Sequence, residues 1–272
     1  MQDELDLKSE VKEFWDGKSC GEIYAEGDTE RLFYDSESVR RYELEPYIPG
    51  FAKAHEGKDK DVLEIGVGMG TDHAEWAKSK PKSLNGIDLT PRAVAHTRKR
   101  LALLDLSSNI NEGDAEQLPF SEESFDLVYS WGVLHHSPDT QRAINEVYRV
   151  LRPKGTARIM IYHKYSLTGY MLWIRYGLLK WHPCRSLGSI YHNYLESPGT
   201  KAYTVREARE MFSRFSRVDP RIQLGFVDLL EGSVGQRHRG TMLSLARALW
   251  PRKLIKKVFK NHGLMLLIEA QK

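Results

Sequence analysis

The chain predicts an α/β fold: a doubly wound, mostly parallel seven-stranded sheet, with a helical N-terminal cap and helical insertions after the fifth and sixth strands. Three observations carry this expectation. Short apolar runs alternate with helix-length segments from residue 61 to residue 162, the rhythm of right-handed βαβ crossovers. The first run ends in Glu64-Ile-Gly-Val-Gly-Met-Gly70, a turn of alternating glycines between a strand and a helix. Beyond Tyr162 the rhythm breaks, and 164–203 is rich in aromatics with no clear strand.

Each element follows from local pattern. Residues 1–60 are charged and mostly helical, with a turn at Cys20-Gly21 and a helix expected from Ser38 to Ala54. Val62–Ile65 is the first strand, and Asp72–Lys80 a helix ended by Pro81. Leu84–Asp88 is the second strand, and Pro91 suits the first turn of a helix running to about Leu104. Asn109–Glu112 and Phe125–Trp131 are the third and fourth strands, Asp139–Leu151 a helix, and Thr156–Tyr162 the fifth strand. Thr204-Val-Arg-Glu207 is a capping box, and Arg217–Leu224 and Leu264–Ala270 complete the sheet. The expected division is a cap over 1–60 and a main domain over 61–272, with insertions at about 164–203 and 227–262.

Composition excludes several classes. A net charge of +3 with 28% charged residues of both signs describes an ordinary solvated surface and gives no reason to expect nucleic acid. The acidic start, Met-Gln-Asp-Glu, lacks the apolar core of a signal peptide, so a cytoplasmic location is expected. Cys20 and Cys184 make neither a disulfide framework nor a metal cluster, and no metal is expected. Basic residues crowd 237–260, from Arg237 to Lys260, where a solvated face or contact with a membrane surface are both open.

In a doubly wound sheet, ligands sit beyond the carboxyl ends of the strands. Gly66, Gly68 and Gly70 let the backbone turn and approach a ligand, and the helix behind them offers free N–H groups to an anionic group. Asp88 ends the second strand about 20 residues on, where a carboxylate can accept ribose hydroxyls. A nicotinamide or flavin fingerprint would read Gly-x-Gly-x-x-Gly; here the third glycine comes one residue early and Glu64 precedes the loop.

At these residues the chain resembles the class I S-adenosylmethionine-dependent methyltransferases, especially the ubiquinone/menaquinone methyltransferase-like branch. The resemblance covers roughly 40–163 and rests on four ordered blocks: Val62–Gly70, Gly86–Thr90, Gly113–Val128 and Val133–His136, the last leading into Glu146–Gly155. It implies S-adenosylmethionine as cofactor and a Rossmann-like methyltransferase fold. It also implies that Glu64, Gly66, Gly68 and Gly70 cradle the methionine moiety. Asp88 would hold the ribose, Leu89 pack on the adenine, Asp114 and Ala115 meet the adenine edge, and Ser130 and Val133 line the methionine side. A small-molecule acceptor is expected, and the alternatives are a lipophilic acceptor at a membrane surface or a regulatory protein that binds the cofactor without turnover.

Histidine titrates near neutrality, so His136 and His163 are candidate bases, with Tyr162 a hydrogen-bonding partner at the same sheet edge. His135 is a weaker candidate. Trp15 and Tyr24 in the cap, with Tyr165, Tyr194 and Tyr203 in the aromatic stretch, are candidate substrate contacts. Departures from the quinone-methyltransferase pattern concentrate after residue 163, so the acceptor cannot be carried over.

Overall fold

The computed structural model describes residues 2–231 and 250–272. Seven strands form one sheet in the order β3-β2-β1-β4-β5-β7-β6. They are β1 (Asp61–Ile65), β2 (Ser83–Asp88), β3 (Asn109–Glu112), β4 (Phe125–Trp131), β5 (Leu151–Tyr162), β6 (Arg217–Gln223) and β7 (Met265–Gln271). The pairings among β1 to β5 are parallel, and both pairings of β7 are antiparallel. The strand order reverses between β1 and β4, which opens a crevice at their carboxyl ends.

Alternation along the strands builds a core on each face. One face carries Leu63, Ile65, Val128, Ile159, Ile161 and Ile268, covered by α6 (Thr140–Val150) and α9 (Val205–Met211). The other carries Val62, Leu127, Tyr129, Trp131, Met160 and Tyr162, covered by α3 (Ile48–Ala52), α7 (Leu167–Tyr176) and α8 (Leu187–Tyr194). Helix α6 reads Ala143, Ile144, Val147 and Val150 toward the sheet, an i, i+1, i+4, i+7 stripe capped by Asp139, whose side chain accepts from the Arg142 N–H.

Three expectations are corrected. The cap helix expected over Ser38–Ala54 is two helices, α2 (Glu30–Leu44) and α3. Pro46 disfavours helical geometry at Glu45, whose φ of −125° and ψ of 60° end α2. Thr29 caps α2 nine residues before the expected helix opens, its side chain accepting from the Leu32 N–H. Strand β5 begins at Leu151, directly after α6, because Leu151 already pairs with Phe125 of β4; the register then shifts to Leu127 opposite Thr156, with Lys154 at φ +67° in the bulge between them.

Helix α1 (Gln2–Gly17) lies over the crevice, and α10 (Arg252–Val258) packs Ile255 against Leu167 of α7. No helix among the described residues is long and apolar enough to cross a membrane. The part of the basic stretch from Arg237 through Arg247 lies outside the described residues.

Candidate active site

The crevice is a cavity of about 690 Å³ that runs from the glycine loop to the aromatic insertion. Its first half is built by strand ends. Gly66 turns at φ +81°, and a Cβ there would sit 2.1 Å from Cγ2 of Val133, so only glycine lets β1 and the end of β4 approach this closely. The Gly66 N–H donates to the Ile87 carbonyl at 2.7 Å. Asp88 anchors the loop: its Oδ2 accepts the Gly68 N–H at 3.1 Å, and its Oδ1 accepts the Thr90 N–H and hydroxyl at 3.0 and 2.9 Å. Burial raises the Asp88 carboxyl and these donors pull it back, leaving it above the ordinary carboxylate value. Glu64, Gly68, Leu89, Asp114, Ala115 and Val133 share the same wall.

Glu64 takes part in a buried relay that no local motif announces. Ser108 Oγ donates to the Leu84 carbonyl and so accepts from His73 Nε2–H, both at 2.8 Å. That leaves His73 Nδ1 as an acceptor 2.8 Å from Glu64 Oε2, which requires the proton to sit on the carboxyl. Burial and the nearby Asp72 charge hold the Glu64 carboxyl well above its usual range, while burial pushes His73 down to about 3, so both directions agree with this arrangement. Asp72, in the first turn of α4 (Thr71–Lys78), is a carboxylate instead. Burial opposes its ionisation, but the Arg41 charge 2.7 Å away and hydrogen bonds from Arg41, Tyr129 and Tyr42 outweigh that. Arg100 adds a buried pair with Glu37 of α2 and donates to the Met69 carbonyl in the loop. The cap therefore clamps the glycine loop from behind, through Arg41, Glu37 and Arg100.

At the Asp114 end, Lys8 of α1 places its Nζ 2.7 Å from both Asp114 Oδ2 and Glu116 Oε2. Asp114 Oδ1 accepts the Glu116 N–H at 2.9 Å. These contacts hold α1 across the cavity, with Val11, Phe14 and Trp15 on its inner side.

The second half divides into a polar corner and an apolar chamber. In the corner, Tyr162 donates to Glu196 Oε2 at 2.7 Å, and His136 Nε2 stands 3.5 Å from the same oxygen. Thr200 donates to the Ser197 carbonyl, and Ser197 Oγ lies 2.8 Å from His136 Nδ1. Trp15 meets the His136 ring edge-on at 5.3 Å. Burial pushes His136 down to about 3 and His135 well below its usual value, so both rings are neutral at pH 7. Burial and the Glu196 charge hold the Tyr162 phenol well above its usual value, so it donates and does not serve as a base. The chamber beyond is walled by Met171, Leu172, Leu195, Val227, Leu230 and Met265.

Several expected site residues lie elsewhere. Ser130 is fully buried away from the cavity, because alternation on β4 turns Trp131 toward the cavity and Ser130 away from it. Gly70 is required by packing and does not line the cavity: it caps α4 at φ +76°, and a Cβ there would be 2.9 Å from Thr97 of α5 (Pro91–Leu103). His163 faces the opposite side of β5 from Met160 and Tyr162 and contacts the Gly263 carbonyl at 3.2 Å. Tyr165 is half exposed outside the cavity. Tyr194 stacks on Tyr176 with centroids 4.2 Å apart, and Tyr203 packs on the α6/α9 core. Trp15 and Tyr24 do line the cavity. Cys20 and Cys184 are unpaired, and Cys20 lies on the cavity wall. Glu196, Glu45, Arg41 and Lys8 reach the cavity without any motif to mark them; for Lys8, its place on the inward face of an amphipathic α1 was the available signal.

Comparison with known proteins adds to this geometry. Residues 63–159 match the family described as a methyltransferase domain. That segment of the chain carries a methyltransferase domain. Over 97 residues that domain is 38% identical to 2-methyl-6-phytyl-1,4-hydroquinone methyltransferase 2 of Oryza sativa subsp. japonica, covering 35% of this chain and 27% of the relative. Over 122 residues it is 33% identical to the fatty-acid O-methyltransferase of Mycolicibacterium smegmatis, covering 44% of this chain and 43% of the relative. The chain thus spans less than half the length of either. In fold, the methyltransferase domain and its surroundings resemble an S-adenosylmethionine-dependent methyltransferase from Mesorhizobium loti, with TM-score 0.53 at 18% identity, covering 83% of this chain and 97% of that one.

The buried imidazoles make stability pH-dependent. His73 and His136 have folded values near 3 against an ordinary 6.5, so their contribution is complete above pH 6.5 and is lost as pH falls toward 3. Glu45, pushed up to about 7 by burial, acts in the opposite sense: its contribution is complete below 4.5 and is lost as pH rises through 7. Denaturant unfolding of His136→Gln between pH 4.5 and 6.5 should therefore show a stability slope lower than the parent's by about 1.4 kcal/mol per pH unit. Equal slopes would mean that the ring is protonated in the folded state.

Proposed function

We propose that the chain binds S-adenosylmethionine in the first half of the cavity and methylates a small acceptor with a large apolar part held in the second. One observation carries this: a single cavity joins the glycine loop, Asp88 and Asp114 to a polar corner opening on an apolar chamber. The residues present fit the cofactor. Asp88 and Asp114 offer carboxylate acceptors at the ends of β2 and β3, Leu89 and Ala115 offer an apolar slot, and Gly66 and Gly68 leave backbone close to the cavity.

Bound S-adenosylmethionine supplies an electrophilic methyl group. The protein's part is to orient and to exclude water. Asp88 accepts ribose hydroxyls, Asp114 and Ala115 receive the adenine edge, and Glu64 and Val133 border the methionine end. Helix α1, tethered by Lys8, covers the cavity. At the polar corner, His136 Nε2 and Glu196 accept a hydrogen bond from the acceptor's reacting group, while Tyr162 fixes the Glu196 carboxylate. Relatives named for a phytyl hydroquinone and a fatty acid pair a polar head with a long tail, which supports the same division here. Turnover of phenols and carboxylic acids with graded alkyl tails, scored by S-adenosylhomocysteine formation, tests the reading. Rates should rise with tail length; formation with water-soluble acceptors alone would overturn the apolar assignment.

A second reading, that the acceptor is met at an anionic bilayer, is favoured by the chamber's rim. Ile174 and Leu179 line the cavity and are exposed outside it, and Leu178 and Trp181 continue the patch, Trp181 at 89% exposure. Arg175 and Lys180 flank them, and α10 presents Leu254 and Val258 among Lys253, Lys256 and Lys257. Apolar tips with flanking cations suit a negatively charged lipid surface. The protein should sediment with phosphatidylglycerol vesicles at low salt, and Leu178→Ser/Leu179→Ser/Trp181→Ser should reduce the bound fraction by about tenfold without changing the melting temperature. Equal binding by both proteins would reject this surface.

A further inference from the structure

The polar corner holds more buried ring nitrogens than an acceptor's single reacting group would engage. Among the described residues, neither ring nitrogen of fully buried His135 has a hydrogen-bond partner, and neither has buried His136 Nε2. Buried polar atoms in native proteins almost always find a partner, so three unpartnered nitrogens at one spot point to a missing ligand. Glu196 completes the group: one ligating atom from each of His135, His136 and Glu196 lies within 4.8 Å of the others.

From this arrangement we infer a binding site for a divalent first-row transition metal such as Zn²⁺, held by His135, His136 and Glu196. The cluster is the two-histidine, one-carboxylate set of catalytic metal sites, which keep positions open for water or substrate. Its surroundings fit that role. Ser197 Oγ stands 2.8 Å from His136 Nδ1, and accepting a hydrogen bond from Nδ1–H there leaves the Nε2 lone pair facing Glu196. Tyr162 donates to Glu196 Oε2 and fixes the carboxylate. Outer partners of this kind set the tautomer and orientation of metal ligands. A water molecule could donate to two of these atoms; a cation satisfies a lone pair on each ring and the carboxylate together.

His136 and Glu196 line the cavity while His135 lies behind them, so the open positions face the acceptor chamber. A metal there would take an oxygen of the acceptor as ligand, which narrows the acceptor class to hydroxyl or carboxylate compounds. This last point rests on the proposed function; metal binding itself does not.

The test uses the intact chain and Co²⁺ or Zn²⁺ alone. One equivalent of Co²⁺ should give the visible absorption bands of a low-symmetry site, and Zn²⁺ should abolish them by competition. Glu196→Gln and His135→Asn should each weaken Co²⁺ affinity at least 100-fold. Ser197→Ala leaves all three ligands in place and should weaken it about 10- to 100-fold. Calorimetric binding of S-adenosylmethionine, measured on the same samples, reports separately on the cofactor site and on folding. Absence of Co²⁺ bands in a parent protein that binds S-adenosylmethionine overturns the metal site and leaves the methyltransferase reading intact. Bands that persist unchanged in Glu196→Gln overturn the ligand assignment.

Discussion

Asp88→Ala should weaken S-adenosylmethionine binding by more than 100-fold, read by calorimetry. Two hydrogen bonds to a charged group, at about 1.5–3 kcal/mol each, amount to at least about 3 kcal/mol, which is a factor above 100 in affinity. The same carboxylate also receives the Gly68 N–H and both donors of Thr90, so its removal frees the glycine loop as well. The loss should fall mainly on binding: buried Asp88 sits above the usual carboxylate value, and deleting it also removes an unfavourable burial. Cofactor affinity intact in a protein with a lowered melting temperature would show that Asp88 serves only as a loop anchor.

Gly66→Ala should be strongly destabilising for the addition of a single methyl group. The new Cβ would sit 2.1 Å from Val133 Cγ2 and 3.0 Å from two further Val133 atoms, at a φ of +81° that alanine avoids. Overpacking costs about 1–3 kcal/mol and the left-handed backbone about 1–3 more, so a loss of about 3 kcal/mol in denaturant unfolding is expected. Val133→Ala in the same chain should restore part of it by removing the colliding methyls. A Gly66→Ala protein as stable as the parent would mean that β1 and the end of β4 separate easily, and that the loop is not held as described. By contrast, a Cβ at Gly68 would meet nothing within 4 Å, so its replacement should cost far less.

What was legible in the sequence followed the range of the interactions. The glycine loop, Asp88, Asp114 and the strands ending in them are written within about fifty consecutive residues, and local pattern was enough to find them. Pro46 was equally legible as a helix break, and a helix drawn through it to Ala54 gave too little weight to its effect on Glu45. The residues that were not legible act across long separations. Glu196 meets His136 from 60 residues away, Arg41 meets Asp72 across 31, and Lys8 meets Asp114 across 106.

The aromatic stretch misled for a different reason. Tyr165, Tyr194 and Tyr203 lie on a short helix end and on connecting turns, where no periodicity says which side faces a cavity. His163 and Ser130 could have been excluded by strand alternation: they lie one residue from Tyr162 and Trp131, which face the cavity, and so point the other way.

The most direct measurement is titration calorimetry of the intact chain with S-adenosylmethionine, with NADH as the comparison. The geometry of Gly66, Gly68, Asp88 and Asp114 predicts saturable one-to-one binding of S-adenosylmethionine, competed by S-adenosylhomocysteine, and no heat from NADH. Saturable NADH binding, or no binding of S-adenosylmethionine by a folded protein, would contradict it.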